Sequence, residues 1–308
     1  MIAAFAPATV SNVGCGFDVL GFALDAPGDI VTAAPADGPG VRITAIEGDD
    51  GRLPRDPERN TAGAAVLALL ESIGTTRGLA LEIHKGLPLE SGVGSSGASA
   101  VAAVVAANEV LGRPVGLDVL LACAMAGERA GCGAPHPDNV APSLYGGFVL
   151  ARRADPPDIV RLPVPKSLAC AVLHPHLFVK TAHARALLGD SVALSDAIRQ
   201  WGNVGALVAA LFQSDLGLLA RSIEDVIAEP KRSALVPGFH AAKAAALAAG
   251  ALGCSLSGSG PSMFALAASL DDAQAAGDAM RQSFSAGSDV PCDLWVSPVA
   301  SRGARIIS

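Results

Sequence analysis

Aromatic residues are scarce, at 4% of the 308 residues, so the core has to be filled mainly by Ala, Val and Leu. Charge is thin as well. Charged residues make up 17% of the chain, below the average near ~25%, while hydrophobic residues reach 51%. That balance excludes a disordered chain, which would be charged and poor in apolar residues. No run of basic residues occurs, and 22 Lys+Arg against 29 Asp+Glu leave a net charge of −7. A nucleic-acid partner, which needs a basic stripe over its footprint, is not expected. No apolar run reaches the ~20 residues that a membrane span needs. The uncharged stretch 244–270 is broken by Cys254-Ser255-Leu256-Ser257-Gly258-Ser259-Gly260-Pro261-Ser262, and 91–108 opens with Ser and Gly. No membrane partner is expected either. The start, MIAAFAPATV, has no Lys or Arg before its apolar residues and breaks at Pro7, unlike a signal peptide. Cys15, Cys123, Cys132, Cys170, Cys254 and Cys292 form no CxxC pair. They read as reduced packing thiols of a cytoplasmic protein.

The length suggests two domains. Alternation predicts strands over 41–45 and 79–83. Asn60 opens a capped helix ending at Gly74, and an apolar helix runs from Ser96 to Leu111 with Gly112 behind it. Helix 118–130 and strand 146–153 follow. Arg153-Ala154-Asp155-Pro156-Pro157-Asp158, polar and with two prolines, is the expected boundary, dividing the chain into 1–155 and 156–308. Beyond it, strands are predicted near 168–174, 262–268 and 292–298. Helices are predicted near 181–189, 195–214, 216–228, 238–250 and 271–286. The order mixes helices and strands without strict alternation, which indicates an α+β fold rather than a doubly wound sheet.

The most informative segment is Pro88-Leu89-Glu90-Ser91-Gly92-Val93-Gly94-Ser95-Ser96-Gly97-Ala98-Ser99, between a strand and an apolar helix. Small residues there let backbone N–H groups converge, and the helix start adds positive potential, so the place suits a phosphate. Gly92, Gly94 and Gly97 match GxGxxG, but a Pro-containing loop separates them from the strand, and a second helix follows where a dinucleotide fold needs a strand. Gly94-Ser95-Ser96-Gly97-Ala98 nearly fits GxSxG, yet no His sits in the context a nucleophile elbow requires.

The same segment resembles the central motif of the GHMP kinases, small-molecule kinases whose loop wraps ATP phosphates. Pro7-Ala8-Thr9-Val10-Ser11-Asn12-Val13-Gly14-Cys15-Gly16-Phe17-Asp18-Val19-Leu20-Gly21 is similar to that family's N-terminal motif, and Leu256-Ser257-Gly258-Ser259-Gly260-Pro261-Ser262-Met263-Phe264 to its C-terminal one. The resemblance implies a two-domain GHMP kinase fold, with an N-terminal ribosomal-protein-S5-like α/β domain and a C-terminal ferredoxin-like α+β domain. Asn-x-Gly-x-Gly-Phe-Asp at 12–18, His136-Pro137-Asp138-Asn139-Val140-Ala141-Pro142-Ser143-Leu144-Tyr145-Gly146-Gly147, and Glu229-Pro230-Lys231-Arg232 before Leu235-Val236-Pro237-Gly238-Phe239 are similar to one branch. That branch phosphorylates the side-chain hydroxyl of L-homoserine in threonine biosynthesis. Departures are small: Val93 for Leu, Gly97 for Ala, Ser11 for Ala.

What the resemblance implies is specific. Pro88, Glu90, Ser91, Gly92, Val93, Gly94, Ser95, Ser96, Gly97 and Ala98 would cradle ATP, with Asn60 and Lys85 approaching adenine and ribose. Ser96 and Glu128 would hold Mg²⁺. Arg185 and Arg232 would take the substrate carboxylate, and Asn12, Asp18, His136, Asp138 and Asn139 its ammonium and hydroxyl. Helix capping competes for Ser96, Asp138 and Asn139. Asn139 stands where several GHMP kinases have a proton-accepting Asp, so Asn139 and Arg185 would orient the hydroxyl while a phosphate oxygen receives the proton, with Asp18 as the fallback base. A homodimer is a family-level expectation. The alternatives are a mevalonate- or sugar-type kinase, whose substrate carries no zwitterion, and a non-catalytic amino-acid sensor.

Overall fold

The computed structural model describes residues 1–307, the side chain of Cys132 excepted. The first half builds β1 (Ile2–Ser11), β2 (Leu20–Ala36), β3 (Val41–Glu47), α1 (Thr61–Ser72), β4 (Gly78–His84), α2 (Ser95–Val110), α3 (Leu117–Cys132), α4 (Pro137–Tyr145), β5 (Phe148–Ala154) and β6 (Pro157–Leu162). Then come β7 (Ala169–Pro175), α5 (Thr181–Ala186), α6 (Leu194–Gln213), α7 (Leu216–Ser222), the single turn α8 (Glu229–Arg232), α9 (Phe239–Ala248), β8 (Gly253–Leu256), β9 (Met263–Ala267), α10 (Leu270–Gly287), β10 (Cys292–Pro298) and β11 (Arg305–Ile306).

Two sheets result. The first runs β11-β1-β2-β4-β3, with β5 on the other part of β2 and β6 beyond it; the second is β10-β7-β9-β8. The 17-residue β2 serves two neighbours: Leu20–Phe22 pair with β5, and Ile30–Ala36 pair with β4. Helix α2 lies across β1 and β2. Twelve of its 16 residues are buried, which is why it reads as apolar on every face. The second sheet is covered by α9 and α10, and Ser269 caps α10 by accepting from Asp272 N (3.1 Å). Five of the aromatics, Phe22, Phe148, Phe239, Phe264 and Phe284, are fully buried, whereas Phe178, Trp201 and Phe212 are exposed. Among the described residues no helix is long and apolar enough to cross a membrane.

Several expectations need correction. β1 and β2 carry no legible alternation, because β1 is buried almost throughout and the pairing of the two strands changes register between Pro7 and Thr9. The expected boundary at 155/156 falls in the turn of the β5–β6 hairpin, so the first sheet continues to Leu162, and β11 returns to it from the far end of the chain. The predicted helix 216–228 stops at Ser222. The Asp225 carboxylate there accepts from Ile227, Ala228 and Glu229 N–H, a local alternative to helical bonding.

Candidate active site

The loop between β4 and α2 alternates in burial. Ser91, Val93 and Ser95 are buried, whereas Gly92, Gly94 and Ser96 are half-buried and face a cleft of about 590 Å³. Positive φ at Glu90 (55°), Gly92 (81°) and Gly94 (70°) curls the backbone into the concave form that gathers N–H groups. Gly94 opens α2 with no side-chain cap and no acidic residue in the first turn, leaving the helix start free for an anion. A Cβ on Gly94 would lie 2.1 Å from Thr9 Oγ1 and 2.9 Å from Asn139 Oδ1. On its other side the loop rests on the turn 256–262: Ser257 Oγ donates to Gly92 O (2.7 Å) and Ser262 N to Ser91 O (3.3 Å). Two small-residue segments, far apart in sequence, therefore close one wall.

Glu128 comes from α3. Close approach of α3 to α1 requires Gly127, whose Cβ would lie 2.4 Å from Thr61 O. The approach brings Glu128 to the start of α2, where Ser96 Oγ donates to Oε1 and His136 Nδ1 pairs with Oε2 at 2.9 Å. Glu128 is 1% exposed. That hydrogen bond to Glu128 raises the His136 pKa. Ser96 is not a helix cap, so its hydroxyl serves the carboxylate.

The other end of the cleft sits where α4 starts. Asp138 and Asn139 make no capping bond. Asp138 is buried, and its Oδ1 has no partner among the described residues. Burial, with Asp18 nearby, lifts its pKa to about 7. Asn139 Oδ1 accepts from Thr9 Oγ1 (2.9 Å), which turns the amide nitrogen away from Thr9. Below it, the β1–β2 connection holds three non-glycine residues at positive φ: Asn12 (69°), Val13 (45°) and Asp18 (59°). Such outliers persist only where surroundings over-determine them. Here Asn12 does so, accepting from Asp18 N (3.1 Å) and donating to Gly258 O (2.8 Å).

Two arginines close this end. Arg185 Nη2 binds both Asp18 oxygens at 2.9 and 2.6 Å. Arg232 is 3% exposed; it donates to Ala184 O and Gly258 O (both 3.1 Å) and, among the described residues, pairs with no carboxylate. Its guanidinium lies 5.0 Å over the Phe17 ring, with Arg185 at 5.5 Å. Burial lowers the Arg232 pKa.

The cleft thus gathers Asn12, Asp18, Glu90, Ser91, Gly92, Gly94, Ser95, Ser96, Glu128, His136, Asp138, Asn139, Arg185 and Arg232. Pro88, Val93, Gly97 and Ala98 do not line it. The Val93 and Ala98 side chains are buried beneath the loop, and Gly97 faces Val140. Asn60 borders the cleft, but its side chain caps α1 by accepting from Ala62 N (3.0 Å), while its nitrogen donates to Pro54 O (2.9 Å). Lys85 offers only backbone: its side chain is 1% exposed and paired with Asp29. Asn12 is likewise spent on holding its own loop and Gly258. Glu90 is engaged by Arg52 at 2.9 Å.

Residues that the sequence left unremarked also line the cleft, among them Arg52, Arg59, Lys180 and Thr181. A further omission, Thr9, matters most, because it fixes the Asn139 amide. Its only signal was its place in the N-terminal motif.

The chain matches the description "GHMP kinases N terminal domain" over residues 60–147 and "GHMP kinases C terminal" over 207–286. It is 51% identical to a homoserine kinase of Chlorobium phaeovibrioides, over 98% of each chain. It is 43% identical to one of Xanthomonas campestris pv. campestris, covering 99% of this chain and 94% of that one. The crystal structure of a homoserine kinase from Cytophaga hutchinsonii superimposes with a TM-score of 0.97 at 54% identity, over 99% of this chain and 97% of the other.

Proposed function

This chain belongs to the GHMP kinase family, and from that premise we propose how its cleft carries out its reaction. The activity is phosphoryl transfer to the hydroxyl of homoserine, with ATP as the donor that the kinase family implies. Homoserine is a zwitterion with one reacting hydroxyl. The observation that carries the assignment is the pairing, in one cleft, of a buried cation lacking a carboxylate and a buried carboxylate oxygen lacking a partner among the described residues. Arg232 is the first and Asp138 the second.

Arg232 and Arg185 take the substrate carboxylate through charge-assisted hydrogen bonds. Asp138 and Asp18 take the ammonium. In the free protein Arg185 and Asp18 satisfy each other, so the incoming zwitterion exchanges one ion pair for two. The amide nitrogen of Asn139, aimed by Thr9, orients the hydroxyl toward the phosphate loop. Asn139 is no base, so the proton passes to a phosphoryl oxygen, and the protein supplies positioning and charge neutralisation.

Mg²⁺ fits this donor set. Glu128 and Ser96 present hard oxygens at the helix start, and Mg²⁺ binds through one or two carboxylates together with phosphate oxygens and water. Bound there, it neutralises charge developing on the transferred phosphoryl group. His136 holds Glu128 in place from the other side.

The test has two parts. Release of ADP is measured with homoserine, mevalonate, galactose and serine; turnover is expected with homoserine, and preferential turnover of mevalonate or galactose would refute the amino-acid reading. In Glu128→Gln, which keeps shape but loses charge, turnover should fall at least about 100-fold, ~2.7 kcal/mol of barrier, with the thermal midpoint nearly unchanged. Full turnover at saturating Mg²⁺ would remove Glu128 from the site.

A further inference from the structure

A buried ionic knot lies behind the phosphate loop, and none of its charges reaches the cleft. Asp29 on β2 is 0% exposed and the Lys85 side chain 1%. Asp29 Oδ1 accepts from Gly86 N (3.0 Å) and Leu87 N (3.1 Å), where the chain enters the loop. Asp29 Oδ2 takes the Lys85 ammonium and accepts from Ser99 Oγ (2.6 Å). Lys85 Nζ also donates to Ser99 Oγ (2.8 Å) and to Ser95 O (2.9 Å), where the chain leaves the loop. Ser95 Oγ donates to Leu87 O (3.2 Å), joining the two ends directly.

We propose that the Asp29–Lys85 pair is a positioning element for the nucleotide, fixing the entry and exit of the 87–95 loop so that its shape is set before ATP arrives. The proposal rests on the reading that this loop receives the phosphates. A loop of Gly and Ser has little side-chain packing to define its own form: Gly92 and Gly94 take positive φ freely but are as free to leave it, and Glu90 at φ 55° needs outside support. Two buried charges are an expensive way to gain stability alone, since apolar groups of equal volume often do as well. Their hydrogen bonds to loop backbone provide something packing cannot: a single preorganised geometry, which lowers the cost of ordering on binding.

Lys85→Met leaves Asp29 charged and unpaired, so it should lose stability as well as ATP affinity. The decisive variant is the double Asp29→Asn/Lys85→Met. It carries no buried charge, and the amide oxygen introduced at position 29 still accepts from Gly86 and Leu87, but Ser95 O loses its ammonium. The expected result is a thermal midpoint recovered toward wild type, with the KM for ATP raised about tenfold and that for homoserine within about threefold. Ser99→Ala should move the same way by less. A double variant with recovered midpoint and wild-type KM for ATP would overturn the proposal, reducing the pair to a structural ion pair. Equal rises in both KM values would overturn it too. Hydrogen exchange of the 89–97 amides with and without AMP-PNP separates the two layers. Protection by AMP-PNP in the wild type, with faster exchange of these amides in the nucleotide-free double variant, is expected. No protection in the wild type would overturn the loop reading and the proposal with it. Protection with unchanged exchange in the free double variant would overturn the proposal alone.

Discussion

At the end of the cleft proposed for the nucleotide, charges are matched inside the protein: Lys85 with Asp29, Glu90 with Arg52, Glu128 with Ser96 and His136. The loop itself presents mostly backbone and hydroxyl to the cleft, with Arg52 and Arg59 also in the lining. At the amino-acid end the arrangement is the reverse. Arg232 leans on carbonyls, Asp138 keeps a bare oxygen, and Arg185 and Asp18 hold each other while both remain partly exposed. On the proposed reading, a polyanionic nucleotide would meet a loop already shaped, with Arg52, Arg59 and Lys180 in the lining beside its N–H dipoles. A small zwitterion would meet charges waiting for partners. The contrast follows from size. Phosphates are gripped by many N–H groups converging on one loop, whereas a single carboxylate and ammonium need one strong opposite charge each.

The contrast breaks most visibly at Arg232. Arg232→Leu should weaken homoserine about 10- to 150-fold, for a charge-assisted bond worth roughly 1.5–3 kcal/mol, with ATP affinity nearly unchanged. Arg232→Lys should recover part of the loss. Calorimetry with each ligand in turn decides it, and equal weakening of ATP would merge the two ends.

Asp138 sharpens the comparison through pH. Its folded pKa is about 7 against an ordinary 3.8, so between these values the native state holds a proton that the unfolded state has lost. Wild-type stability should therefore decline as pH rises from about 4 to about 7 on this account. Asp138→Asn removes the decline, so its gain in thermal midpoint over wild type should be small near pH 4 and full by pH 8. Its KM for homoserine at pH 8 should rise about tenfold. A variant less stable than wild type at pH 8 would mean the carboxylate has a partner in solution.

The smallest effect tests whether Asn139 is aimed from behind. Thr9→Val keeps volume but removes the hydroxyl, and kcat should drop about 2- to 10-fold with the KM for ATP unchanged. An unaltered kcat would leave Asn139 oriented by its own packing.

The glycines at 92 and 94 were legible from the chain itself, as a small-residue loop before an apolar helix. Glu128 and Arg232, which read alone are a helix-end charge and a surface charge, were legible only through the resemblance; the cleft contains all four. Asn60 was legible as the cap of α1, which its side chain is, whereas the burial of the Lys85 side chain against Asp29 was not legible, because the partner stands 56 positions away. Val93, Gly97 and Ala98 belong to the motif yet do not line the cleft: Val93 is buried beneath the loop, and Gly97 and Ala98 are buried residues of α2. The fold was clearest for amphipathic segments such as β4 and β10, and least for β1, which is buried along nearly its whole length and so shows no period.

The α+β class, the phosphate loop before an apolar helix, and the kinase family could all be read from the chain, because these rest on local order: small residues, caps and motifs in succession. Which charges are free was settled only by folding. Asp29 and Lys85 are 56 positions apart, Asp18 and Arg185 167 apart, and Thr9 and Asn139 130 apart. Whether a side chain meets a ligand or a partner depends on what the fold brings within about 3 Å of it, and contacts across such separations leave no periodic trace in the chain.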